Sequence, residues 1–86
     1  MDKYLSLVQI EVLAELAAEI KGYYYRYFEK HPEVDSTRSG NSDITKSYWQ
    51  VVDIANSFME KSWNEKELEI VTNRLREILN SAKELE

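Results

Sequence analysis

The first helical segment of this chain carries more apolar residues than one face of a helix can hold. Between residues 4 and 28, apolar side chains recur at three- and four-residue steps, which is the period of an amphipathic helix. The expected core face contains Ile10, Leu13, Leu16, Ala17, Ile20, Tyr24 and Tyr27. A second set lies on the opposite side: Leu7, Ala14, Ala18, Gly22 and Tyr25. Because a short chain has few other helices to cover both faces, the pattern predicts a partner for the second one.

Three segments show helical periodicity, which predicts an all-α fold: a three-helix antiparallel bundle with a long first helix. The first helix is predicted over residues 3–30, because Pro32 disfavours helical backbone at the residue before it. Residues 5–13 are rich in β-branched side chains, and a short strand there is the alternative; we favour helix because the helical phase continues without a turn signal. Residues 31–43 are polar and are predicted to form a flexible connection.

The second helix is predicted over residues 43–62, with Ser42 or Asp43 as its N-cap. Its apolar positions are Ile44, Tyr48, Val51, Ala55, Phe58 and Ser62, flanked by Val52 and Met59. The third helix is predicted over residues 64–85. Two pairs fit a capping box at its start: Ser62 with Glu65, or Asn64 with Glu67. Its apolar seam contains Leu68, Val71, Leu75, Ile78, Ala82 and Leu85. The short break between these helices predicts a tight antiparallel hairpin.

Size and composition favour self-association. The 86 residues are expected to form a single helical domain, and a domain of this size buries a modest share of its surface. Small domains gain stability from disulfides, a metal or association. The chain contains no cysteine and a single histidine, His31, so disulfides, thiolate metal sites and histidine zinc sites are disfavoured. We therefore expect a homo-oligomer, most simply a homodimer formed through the first helix.

Charge and hydropathy exclude several other classes of protein. The net charge is −5, and the basic residues are interleaved with acidic ones, whereas a nucleic-acid-binding protein would show a basic stripe. No stretch approaches the roughly 20 apolar residues that span a bilayer. The N-terminal run has no basic leader and contains Glu11 and Glu15, so we expect no signal peptide. The expectation is a cytoplasmic protein that binds neither nucleic acid nor membrane.

Glu11, Glu15 and Glu19 repeat every four residues and share one helical face. A carboxylate ladder of this kind resembles the helices of MazG-type nucleotide pyrophosphohydrolases, which bind Mg²⁺ through carboxylates on two neighbouring helices. The resemblance implies that Glu15 and Glu19 are metal ligands and requires a second acidic pair, for which the second helix offers Asp53 and Glu60. The other interpretation is a solvated face with like-charge repulsion of about 0.2–0.5 kcal/mol per pair. We expect the solvated face, with no metal or cofactor, and keep the hydrolase as an alternative.

Arg26 and His31 form the pattern R-x4-H in the segment RYFEKH. This spacing resembles the motif of HEPN-type ribonucleases, all-α proteins that often work as dimers. The resemblance implies that Arg26 stabilises phosphate charge and that His31 acts as the general acid–base in RNA cleavage without metal. The other interpretation is that His31 is a cation at a helix C-terminus, where the helix dipole favours positive charge. We expect the latter, with the ribonuclease as an alternative.

No catalytic motif is therefore assigned to this chain. We expect a small acidic, non-catalytic protein-interaction module, such as an adaptor, a regulator or an inhibitor, that acts as a homo-oligomer and binds another protein. Its expected partner-binding residues are the second set on the first helix: Leu7, Ala14, Ala18, Gly22 and Tyr25.

Overall fold

The structure, a computed structural model, describes residues 3–86, with side chains described from residue 7 onward. Tyr4, where the first apolar run begins, therefore lies outside the described side chains. Within residues 3–86 the fold is all-helical, with α1 at Lys3–Lys30, α2 at Asp43–Glu60 and α3 at Glu65–Lys83. The strand considered for residues 5–13 is wrong, because this stretch belongs to α1.

Side-chain caps define where α2 and α3 begin. The Ser42 hydroxyl accepts a hydrogen bond from the Thr45 backbone N–H at 3.0 Å, which makes Ser42 the N-cap of α2. Asn64 and Glu67 form a reciprocal capping box at the start of α3, the second of the two predicted pairs. The extended backbone of Lys61 ends α2 at Glu60, so Ser62 lies outside the helix that was predicted to include it.

The core lies where α1 packs against both α2 and α3, which approach each other less closely than either approaches α1. It contains residues from the predicted apolar faces of all three helices: Leu13, Ala17, Ile20, Tyr24, Val51, Phe58, Leu68, Val71, Leu75, Ile78 and Ala82. Tyr27 and Ser62, which were predicted to lie on these faces, are not part of the core. Ala17 and Ala82 are fully buried, and their small side chains allow close approach between helix backbones. The packing contacts are those of a three-helix bundle.

Two positions in α2 depart from the expected core. Met59 was predicted to flank the core but is 91% exposed, so this prediction is wrong. Thr45 is fully buried, although its polar side chain gave no apolar signal. Its hydroxyl is satisfied because it donates to the Asp35 carbonyl at 2.6 Å and accepts from the Ser42 hydroxyl at 2.9 Å.

The connection between α1 and α2 is tied to α2 by several hydrogen bonds. Besides the Thr45–Asp35 bond, the Trp49 indole N–H donates to the Ser36 carbonyl at 3.0 Å. Gly40 is buried within this connection. The predicted mobility of residues 31–43 stays a prediction. Among the described residues, no helix has both the length and the apolar character needed to cross a bilayer.

Candidate interaction surface

The predicted partner-binding residues form one stripe along α1, here called the outer stripe: Leu7, Ala14, Ala18, Gly22 and Tyr25. At 100° per residue these positions fall within about 80° of one another, away from the core positions of the same helix. The side chains of Leu7 and Tyr25 are 56% and 51% exposed. Ala14 and Ala18 are exposed, and Gly22 is half-buried. The outer stripe is therefore largely uncovered within the chain, apart from the contact of Tyr25 with Tyr48 of α2.

An aromatic cleft lies next to the outer stripe and shares Tyr25 with it. The cleft has a volume of about 790 Å³ and is bounded by the C-terminal part of α1, the connection and the start of α2. Its aromatic walls are Tyr25, Phe28, Tyr48 and Trp49. The Tyr48 ring lies 5.8 Å from that of Tyr25 and 5.7 Å from that of Phe28, measured between centroids. Polar groups at the rim come from Glu29, Ser36, Thr37 and Arg38.

Arg38 holds the rim of the cleft in place. Its guanidinium donates to both carboxylate oxygens of Asp53, at 2.8 and 3.2 Å, and lies 4.3 Å from the centre of the Trp49 ring. The hydrogen bond from Arg38 lowers the pKa of Asp53, and the same bond raises the pKa of Arg38. The guanidinium is thereby engaged by a carboxylate and an indole of the same chain.

The cleft also perturbs a tyrosine. Burial, together with the neighbouring Tyr25 hydroxyl, raises the pKa of Tyr48 to about 12. Tyr48 therefore stays neutral at physiological pH, and its hydroxyl is a hydrogen-bonding group rather than a base. The cleft presents aromatic faces and the neutral Tyr48 hydroxyl beside one ion pair, a combination that suits binding.

A second apolar groove was missed by sequence reasoning. Val8 and Val12, 39% and 58% exposed, line a groove of about 480 Å³ with the N-terminal half of α3. Leu68 forms its floor together with Leu13, and Glu65, Glu69 and Arg76 lie among its other lining residues. The two valines lie in a third sector of α1, outside both the core face and the outer stripe. This sector borders α3, so the position of α3 determines how much of each valine is exposed.

Arg26 and His31 have different partners in the folded chain. Arg26 forms an ion pair with Glu86 and lies 4.9 Å from the centre of the Tyr23 ring. The Nδ1 atom of His31 lies 3.2 Å from a carboxylate oxygen of Glu33. The His31 ring lies 4.4 Å from that of Tyr27. The two residues of the R-x4-H pattern are not brought into one cleft of this chain by these contacts, and a ribonuclease site at a dimer interface stays a prediction.

Glu15 and Glu19 are both exposed on α1. Within the part of the chain that the structure describes, no cluster of three or more histidine, cysteine or acidic side chains has the geometry to hold a metal ion. The second acidic pair that the pyrophosphohydrolase alternative requires is therefore not found among those residues, and that alternative stays a prediction without structural support.

Comparison of this chain with protein-family models, curated protein sequences and solved structures gives no match.

Proposed function

We propose that this chain is a small acidic protein-interaction module that acts as a homodimer, with the outer stripe of α1 as the dimer interface and a protein as its further partner. The observation that carries this proposal is the exposure of Leu7 and Tyr25 in the folded chain. These two side chains flank exposed alanines on one face. A tyrosine at the end of such a face is a favourable interface residue, because it buries a large area at a low cost in side-chain entropy.

Gly22 supports a close approach by a second molecule. A glycine inside a helix costs about 1 kcal/mol relative to alanine. A Cβ atom at Gly22 would meet only the tip of the Arg26 side chain, at 3.4 Å. Packing within the chain therefore leaves space for a methyl group here and gives no reason for glycine. A second copy packed on the outer stripe supplies such a reason, because small side chains let two helix backbones approach closely.

The aromatic cleft supports the role in binding a further partner. Its walls are aromatic, the Tyr48 hydroxyl is neutral, and its guanidinium is already paired with a carboxylate. Clefts with apolar walls and a few fixed polar groups are typical binding sites. We assign no reaction to this cleft.

Substitution of Ala18 by arginine tests the interface. A long charged side chain in the centre of the outer stripe would separate the two copies, whereas the exposure of Ala18 leaves the fold of one chain undisturbed. We expect light scattering to show a dimer for the natural chain and a monomer for Ala18→Arg, with the same helical circular dichroism.

The matched control is Asn56→Arg, which adds the same charge at an exposed position of α2. It should remain a dimer. A dimeric Ala18→Arg variant would show that another surface mediates association, and a natural chain that is monomeric at every concentration would overturn the proposal.

We also propose that helices consecutive in the chain, α1 with α2 and α2 with α3, run antiparallel. Contacts at both ends of α2 support this order. Ile44, in the first turn of α2, shares a small pocket with Ser81 and Leu85 at the end of the chain. Near the other end of α2, the Phe58 ring lies 5.5 Å from that of Trp63, which directly precedes α3.

A further inference from the structure

The order of side chains along the outer stripe is symmetric about its centre, and this symmetry favours one orientation and register for the pairing of two copies. Two charged residues, Glu11 and Lys21, lie in line with the residues of the outer stripe other than Gly22. Together they form a continuous row of six residues along α1, here called the seam: Leu7, Glu11, Ala14, Ala18, Lys21 and Tyr25. Their spacing alternates between four and three residues, as do the a and d positions of a coiled coil. The first and last residues of the seam, and likewise the second and fifth and the third and fourth, have chemically complementary side chains. The three pairs are Leu7 with Tyr25, Glu11 with Lys21, and Ala14 with Ala18.

The folded chain leaves this seam accessible. Five of its residues are exposed and Lys21 is half-buried. The core residues of α1 point towards α2 and α3 from a different sector of the helix. The seam is therefore a continuous helical face that is open to solvent over most of its length and is partly covered at Tyr25, where Tyr48 of α2 packs on it.

From these observations we infer that two copies pair through the seam as antiparallel helices related by a two-fold axis between Ala14 and Ala18; this inference rests on the self-association proposed above. In an antiparallel coiled coil, each a position lies beside a d position of the other helix. Glu11 of each copy therefore lies beside Lys21 of the second copy, and Leu7 packs on Tyr25 of the second copy. The alanines meet near the axis, where they allow the helices to approach closely.

Charge complementarity selects this orientation and register. A parallel pair in register would place Glu11 beside Glu11 and Lys21 beside Lys21, and such like-charge contacts disfavour association. A shift of the antiparallel pair by one heptad would place Glu11 beside Ala14 or Phe28. Only the register centred between the alanines pairs both charges and both large apolar residues.

The position of α2 defines the side from which the second copy approaches. The Tyr25 ring packs on Tyr48, so α2 flanks one edge of the seam. The other edge, marked by Gly22 and Glu15, is open to the second copy. The two Glu15 carboxylates come near the axis on this edge, and their repulsion opposes the two Glu11–Lys21 contacts.

Disulfide cross-linking tests the orientation directly, because the natural chain has no cysteine. We would prepare Leu7→Cys and Tyr25→Cys as separate proteins, then oxidise each alone and as a mixture. In the antiparallel pair, the two copies of residue 7 lie about 27 Å apart along the axis, whereas residue 7 of one copy lies beside residue 25 of the other. We expect a cross-linked dimer in the mixture and none in either protein alone.

The outcomes separate the failure of this inference from the failure of the proposed function. Cross-linking of each variant with itself would overturn the antiparallel orientation and leave self-association standing. Dimers in light scattering without cross-links in any combination would show that the seam is not the interface. Monomers throughout, for the natural chain as well, would overturn both.

Charge exchange gives a second test that needs no cysteine. Glu11→Lys and Lys21→Glu each replace two attractive contacts of the antiparallel dimer by repulsive ones, and each is expected to raise the dimer Kd about tenfold. The double variant restores the contacts and should regain the natural Kd. In a parallel dimer, Glu11→Lys exchanges one like-charge contact for another and leaves the Kd nearly unchanged, which would overturn the inference.

Discussion

Gly40 lies where the connection packs tightly, both on itself and against α2. An added Cβ atom at this position would lie 2.2 Å from the Asp35 carbonyl oxygen and 2.6 Å from the Cγ2 atom of Thr45. Both distances are far below van der Waals contact, and the carbonyl belongs to the backbone. The same carbonyl accepts the hydrogen bond from the buried Thr45 hydroxyl. Gly40 is thus required by space, and its backbone conformation is ordinary.

We predict that Gly40→Ala destabilises the fold by about 1–3 kcal/mol, the usual cost of overpacking a close contact. Urea denaturation followed by circular dichroism measures this change. The matched control is Gly22→Ala, whose new methyl group meets only a flexible arginine tip. Because alanine favours a helix interior, Gly22→Ala should stabilise the chain by about 0.5–1 kcal/mol. Both are measured at dilutions where the midpoint no longer depends on concentration. Equal effects of the two substitutions would contradict the steric account.

Residues such as Gly40 and Thr45 could not be identified from the sequence. Their roles depend on contact with the Asp35 carbonyl. This contact forms only because the irregular segment that contains Asp35 folds back onto them. Periodicity reports only on residues within one regular element, so it predicted the buried positions of α3 and the exposure of Leu7 and Tyr25. Its failure at Met59 has a different cause, because Met59 follows the buried Phe58 by one residue and so lies on a different side of α2.

At the scale of elements, the starts of α2 and α3 were predictable because their signals are local. Ser42, and Asn64 with Glu67, satisfy orphan backbone N–H groups within three residues of themselves. The attachment of the connection to α2 has no such signal. It depends on Arg38 and Asp53, which are 15 residues apart and become neighbours only in the fold.

The Arg38–Asp53 pair predicts a pH dependence. Since the pKa of Asp53 is lowered from its ordinary value of 3.8 in the folded chain, its stabilising contribution is present above that value. The contribution disappears as the pH falls through the folded pKa. We therefore expect Arg38→Gln to lower the urea midpoint slightly at about pH 7. This effect should fade as the pH falls through the folded pKa of Asp53 and its carboxyl becomes protonated.

Carboxyl ¹³C NMR titration checks the cause. The pKa of Asp53 should lie below 3.8 in the natural chain and rise towards it in Arg38→Gln. Asp35 is the internal control, because the Thr37 hydroxyl and backbone N–H lower its pKa without help from Arg38. A pKa of Asp53 that does not respond to the substitution would show that the pair does not persist in solution.

At the scale of the whole molecule, α1 is the common element. It is the longest helix, with 28 residues, and packs against both others. This position explains why the outer stripe was predictable. The two other helices cover one sector of α1, and the helical period determines which residues of α1 lie outside that sector. The aromatic cleft could not be foreseen, because it is bounded by three segments whose relative positions depend on the complete fold. The groove at Val8 and Val12 was missed for the same reason.

The two tryptophans provide built-in fluorescent reporters of different regions of the bundle. Trp49 lies beneath Arg38 beside the connection, whereas Trp63 lies beneath Lys61 in the break between α2 and α3. The fluorescence emission of each indole should change when the arginine or lysine side chain moves off the ring and the ring becomes exposed to water. Trp63→Phe and Trp49→Phe each leave one reporter. For a single cooperative domain, we expect the emission of both variants to change together with their own helical signal as urea is added. An earlier transition of Trp49 would reveal that the connection detaches while the three helices remain assembled.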